Sequence, residues 1–180
     1  MKTQAENKKQ YAFTLKIGGW REFISEKLLL VNIAEALNDT ITKCNIDFEI
    51  NGYLITSTKI YLIISVLEFS VQEVLDDFYK NVRLIIKPKL FKNDYDSKNK
   101  INLNYDEIEE NTLRLFEKVP LRNNYLIKLL CGQQINLIYS DPRLEILKKQ
   151  LNNYNFCSMT DYSGVVGPVI LKRPKTDLIS

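Results

Sequence analysis

Three observations predict an α+β fold, with a β-α-β-β-α core on an antiparallel sheet and a mostly helical C-terminal extension. Two long stretches, 24–41 and 70–86, repeat their apolar residues at helical spacing. Around them lie short runs rich in β-branched and aromatic residues, the strongest being Lys59 to Val66 (KIYLIISV). Beyond residue 105 the pattern turns helical again, with proline and glycine breaks.

Residues 1–10 are polar and read as a flexible arm. Tyr11 to Ile17 alternates enough to form a strand, which Gly18-Gly19 ends. Ile24, Leu28, Val31, Ala34, Leu37 and Ile41 mark the buried face of the first helix, with Ser25 as its cap. Ile46 to Ile55 reads as a strand containing Asn51-Gly52, which is either a hairpin turn or a bulge in one longer strand. Lys59 to Val66 is apolar on both faces, as a central strand requires. The second helix carries Glu73, Asp76 and Asp77 early and Lys80, Arg83 and Lys87 late, an order that suits the helix dipole. Pro88 is expected to end it.

This order is that of a ferredoxin-like unit lacking its last strand. That strand has a weak candidate at Ile101 to Leu103, and Tyr105 to Val119 reads as a helix opened by acids and closed by Pro120. Further helices are expected at Asn123 to Cys131, ended by Gly132, and from Asp141-Pro142 to the Asn152-Asn153 stop. The expected domains are therefore an arm at 1–10, a ferredoxin-like domain at 11–90, a basic loop or short strand at 91–104, and a helical extension with a basic tail at 105–180.

Composition narrows the function. The 180 residues are 45% hydrophobic and 26% charged, enough for a core without disulfides or metal. Histidine is absent, which excludes a Ser-His-Asp triad, a Cys-His pair and every histidine-ligated metal. Cys44, Cys131 and Cys157 are far apart and form no CxxC pair, so they read as reduced core thiols in a cytoplasmic protein. No apolar run is long enough to span a membrane, and the N-terminus has no signal-peptide pattern. The formal charge is only +3, yet 80–100 holds seven basic residues against two acids. Phe91 and Tyr95 are interleaved there, as in segments that track a nucleic-acid backbone, although a solvated helix end has the same composition. Lys172, Arg173 and Lys175 form a smaller patch. The Asp106, Glu107, Glu109, Glu110 cluster suits a helix N-terminus better than a metal site.

The stretch from Tyr53 through Lys59 and Tyr61 to Ile64 resembles the signature of the single-tyrosine HUH transposases, and in particular the REP-associated tyrosine transposases. There a Tyr-apolar-apolar run, a short turn and a strand carry His-apolar-His. Phe156-Cys-Ser158-Met-Thr-Asp161-Tyr162-Ser-Gly164 is similar to that family's Ser-Ser-Tyr-x-Asp-Tyr-x-Gly stretch. The likeness runs over 11–86 and in patches over 154–168. The two family histidines fall on Lys59 and Tyr61, which do not replace a metal-binding pair.

The resemblance implies a homodimer that binds single-stranded or hairpin DNA, without metal-dependent cleavage. Lys59 would meet a phosphate and Tyr61 would stack on an unpaired base. Lys80, Arg83, Lys87 and Lys89 would add backbone contacts, and Trp20 with Arg21 a stacking platform; for Trp20 the alternative is a cover over the first helix. A rival reading is an active nicking enzyme or transposase working through a phosphotyrosine, with Tyr79 as the shifted nucleophile. No cofactor is expected, and magnesium only if cleavage survives. The other rival is a protein-interaction or structural module on the same fold.

Overall fold

The computed structural model describes residues 8–92 and 115–171. Its elements are β1 (Lys9–Ile17), α1 (Glu26–Lys43), β2 (Glu49–Ile55), β3 (Lys59–Val66), α2 (Val71–Lys92), β4 (Phe116–Pro120), α3 (Asn124–Leu130), α4 (Pro142–Leu151) and α5 (Ser158–Tyr162). Short 3-10 turns lie at Gly19–Phe23 and Glu68–Ser70. The sheet order is β2-β3-β1-β4, and every neighbouring pair is antiparallel. This is the ferredoxin-like arrangement, with its fourth strand present.

That strand is not where the sequence pattern puts it. Ile101 to Leu103 lies outside the described residues, as does most of the helix expected over 105–119. The end of that helix is instead β4, at the edge of the sheet beside β1. The open edge of β1 decides the outcome. Phe116 pairs with Ile17 and is buried, whereas Glu117 and Lys118 are exposed. Pro120 is tolerated because only edge strands accept a residue without an N–H. The ferredoxin-like unit therefore draws a strand from beyond its expected boundary at residue 90.

Both faces of the sheet are covered. One face holds Phe13, Leu15, Ile17, Ile60, Leu62, Ile64 and Val66 against α1 and α2. Helix α1 buries Leu29, Ile33, Ala34, Ala36 and Leu37, while Leu28 and Val31 are exposed, contrary to the expected stripe. The run Leu28-Leu29-Leu30-Val31 offers two overlapping apolar stripes, and the sheet takes the one through Leu29. Ser25 sits at the cap position, but its side chain makes no capping bond. Thr40 is buried there, donating to the Ala36 carbonyl and accepting from Asn81 of α2. Helix α2 buries Val74, Leu75, Phe78, Val82 and Ile86 and passes through Pro88 to Lys92, rather than stopping before the proline. Expected loop residues 91 and 92 thus belong to the helix.

The second face packs Leu54 and Ile63 against Leu126, Leu129 and Leu130 of α3, Leu144 and Leu151 of α4, and Cys157. The Asp141-Pro142 start is as expected, with Asp141 accepting from Arg143 N–H and Pro142 in the first turn; Asn123 likewise caps α3, accepting from Leu126 N–H. The register between β2 and β3 shifts between Ile50 and Gly52, so Asn51-Gly52 marks a bulge, not a hairpin. Of the cysteines only Cys157 is buried; Cys44 and Cys131 are half-buried, and all three are free thiols.

Candidate nucleic-acid interface

Strand alternation sends Lys59, Tyr61, Ile63 and Ser65 to one face of β3 and their neighbours to the other. The cores agree: Ile60, Leu62 and Ile64 pack with α1 and α2, while Tyr61 packs beside Ile63 in the second core. Lys59 and Tyr61 therefore share the face carrying the C-terminal helices, as their i, i+2 spacing predicts. Lys59 is exposed and Tyr61 half-buried. Burial and the nearby Tyr154 raise the Tyr61 hydroxyl above the ordinary tyrosine pKa. A neutral phenol beside an ammonium group is no pair of ligands for a divalent cation. Among the described residues no cluster of three metal-ligating side chains occurs.

The register adds a residue that the sequence pattern does not single out. Lys16 lies directly opposite Lys59 on β1, and Thr14 lies opposite Tyr61. Residues opposed in this way hold their Cβ atoms about 5 Å apart, and like charges there repel. Glu117 of β4 relieves one of them, with its carboxylate 3.0 Å from Lys16 Nζ. Lys59 makes no ion pair among the described residues. One cation is thus offset and its neighbour is left open to an anion. Sequence does carry a signal for this: Lys16 is the only charge in the run YAFTLKI. A cleft of about 380 Å³ bordered by Lys16, Gly18, Phe116 and Glu117 opens at the same end of the sheet.

The other proposed residues do not join that face. Tyr79 packs against the α1–α2 core, its ring stacked on Phe116 at 5.2 Å between centroids. The sheet separates it from Lys59 and Tyr61. Burial, helped by Asp76, pushes its pKa up to about 12, the opposite of what activates a nucleophile. The joint site of Tyr79 and Lys59 that the enzyme reading required is not formed.

Lys80, Arg83 and Lys87 are exposed on α2, also on the far side of the sheet. Lys89 lies on the same helix, and its side chain falls outside the described residues. Also outside are Tyr95, Lys98, Lys100 and the basic tail from Lys172. Trp20 is a cover rather than a platform. Its Nε1 donates to the Leu115 carbonyl at 3.0 Å, and its ring meets Phe116 edge-on. Arg21, half-buried in the 3-10 turn after β1, stays at the Lys16 end of the sheet.

The second motif has a structural role. Ser158 Oγ accepts from Tyr53 N–H at 2.9 Å and reaches the Leu130 carbonyl at 2.6 Å. The Tyr53 hydroxyl donates to Asp161 at 2.8 Å, and Tyr162 donates to the Asn51 carbonyl at 2.6 Å. Asp161 also accepts from Gly167 N–H, and Asn38 of α1 bonds Pro168 and Ile170. The two stretches behind the resemblance are thus bound to each other, as a fastening of the C-terminal segment to β2.

No protein-family model matches the chain, and neither a curated protein nor a solved structure matches it significantly.

Proposed function

We propose that the protein binds single-stranded or hairpin DNA on the Lys59–Tyr61 face and leaves the strand uncut. The observation that carries this reading is the pairing of Lys16 with Lys59, two cations on adjacent strands of which, among the described residues, only Lys16 forms an ion pair with a carboxylate. A phosphate placed there meets fixed charge, and the half-buried Tyr61 ring next to it offers a surface for a base. Arg21 at the same sheet end extends the positive region. The resemblance noted in the sequence supports the same substrate class.

Fluorescence anisotropy of a labelled DNA hairpin with single-stranded flanks, at several salt concentrations with and without magnesium, tests it. Binding should weaken steeply as salt rises, and Lys59→Ala should reduce the slope of log affinity against log salt by about 1. Tyr79→Phe should change nothing, because that ring sits on the other face. No binding at low salt ends the reading. A DNA adduct surviving denaturation and lost in Tyr79→Phe would replace it with the enzyme. A homodimer, which the resemblance implies, is read by sedimentation of the same samples.

A protein-interaction role is the second reading. Phe69, Ile138, Tyr139 and Val166 are 92%, 105%, 72% and 87% exposed on three separate connections. Large apolar side chains so exposed favour a partner surface. That role predicts no salt-dependent DNA affinity.

A further inference from the structure

We infer that a second cavity on the DNA-facing side takes a single unpaired nucleobase from the bound strand, an inference that rests on the DNA-binding reading above. The cavity, of about 340 Å³, lies between the loop after α3, helix α4 and helix α5. That volume is at the small end of ligand sites and admits one base rather than a base pair.

Its lining has three parts. Gln133, Gln134 and Asn136 supply carboxamides, each with donor and acceptor side by side, the pairing that reads the edge of a base. None of these three side chains makes a hydrogen bond to protein among the described residues. Met159 and Tyr162 supply a soft, polarisable wall. Lys148 supplies a cation at the rim, although it also pairs with Glu145 at 3.0 Å.

The cavity is held in shape. Tyr162 is fixed by its bond to the Asn51 carbonyl. Its ring lies so close to Gly132 that a Cβ there would be 2.3 Å from Cγ. Gly132 also has φ +67°, so the loop that carries the carboxamides starts at a residue only glycine fills comfortably. Position fits the inference as well. Asn51 is three residues along β2 from Leu54, which pairs with Tyr61. The contact that anchors Tyr162 is therefore on the order of 10 Å along the strand direction from Tyr61.

The test has two arms on the full chain. In the first, deoxynucleoside monophosphates are titrated into labelled protein, and the side-chain amide resonances of Gln133, Gln134 and Asn136 and the Met159 methyl are followed. In the second, anisotropy compares the hairpin with the same hairpin carrying abasic sites in its single-stranded flank, for wild type and for the Gln133→Ala/Asn136→Ala double variant. Those residues are exposed, so the fold should persist, and circular dichroism checks it. The inference expects shifts confined to the cavity. It also expects about a tenfold loss of affinity with the double variant or with the abasic flank, and little further loss when the two are combined. Salt-dependent binding that ignores both changes, with no cavity shifts, overturns the base site and leaves the DNA reading intact. No DNA binding at any salt overturns both.

Discussion

Asp161 is 7% exposed and carries two donors, the Tyr53 hydroxyl on one carboxylate oxygen and the Gly167 N–H on the other. Removing the first as Tyr53→Phe leaves a buried carboxylate short of a partner and should cost about 1–3 kcal/mol. Asp161→Ala strands both donors and should cost at least as much. Tyr61→Phe, which removes a hydroxyl with no hydrogen bond among the described residues, should stay within about 0.5 kcal/mol. Urea unfolding midpoints would order the three. The tyrosines also set an alkaline limit. Burial, then the Asp161 carboxylate, hold the Tyr53 hydroxyl well above its ordinary value, and burial pushes Tyr79 and Tyr162 up to about 12. In the unfolded chain these groups ionise near pH 10. Their folded pKa is the higher one, so their contribution to stability is complete below about pH 10 and falls as pH rises above it; for Tyr79 and Tyr162 it is lost through about 12. Alkaline titration should therefore show tyrosinate absorbance rising in that window together with loss of circular dichroism. Release of these tyrosines well before the fold melts would contradict the burial described for them.

At the scale of elements, the docking of α3 on β2 depends on a missing side chain. A Cβ on Gly52 would stand 2.7 Å from the Leu130 carbonyl oxygen, a backbone atom that cannot swing away. Gly52→Ala should cost about 1–3 kcal/mol. Hydrogen exchange should quicken in α3 while α1 and α2 keep their protection. Elements with a strong local signal are legible in the sequence alone: β3 by its apolar run, α4 by Asp141-Pro142, and the second helix by spacing and charge order. Strand β4 is not, because five residues with two charges and a proline have no local preference strong enough to announce a strand. Its identity comes from the unpaired edge of β1. The two stripes on α1 pose the same problem in milder form, since only the sheet chooses between Leu28 and Leu29. The candidate site divides likewise. Lys59 and Tyr61 share a face by period alone, but Lys16 and Glu117 become their neighbours only through register. Tyr79 is kept from that face by the packing of α2 on the opposite side, which no local pattern specifies.

At the scale of the whole molecule, one sheet serves two cores, and the C-terminal segment belongs to both. Cys157 lies in the second core, whereas Val169 lies in the first. At Phe156 and Cys157 the chain passes the β2 edge, where Phe156 O accepts from Ile55 N–H and Cys157 bridges to Leu54. That edge is consequently shielded from strand addition. The opposite edge, β4, is short, charged and ends in proline, which discourages it too. Basic residues sit on both sides: Lys59 and Lys16 on one face, and Lys80, Arg83 and Lys87 on the other.

The fastening of Asp161 and Ser158 onto Tyr53 spans 108 and 105 positions of chain. Closing loops of that length is entropically costly, whereas the β2–β3 pairing and the α1–α2 packing close over far shorter distances. The segment from Phe156 should then join after the barrier to folding has been crossed. Asp161→Ala would leave the refolding rate nearly unchanged and accelerate unfolding, by about tenfold for each 1.4 kcal/mol lost. Leu62→Ala, inside the sheet, would instead slow refolding. Such a latch makes the molecule's lifetime, rather than its speed of assembly, the property that the segment from Phe156 controls.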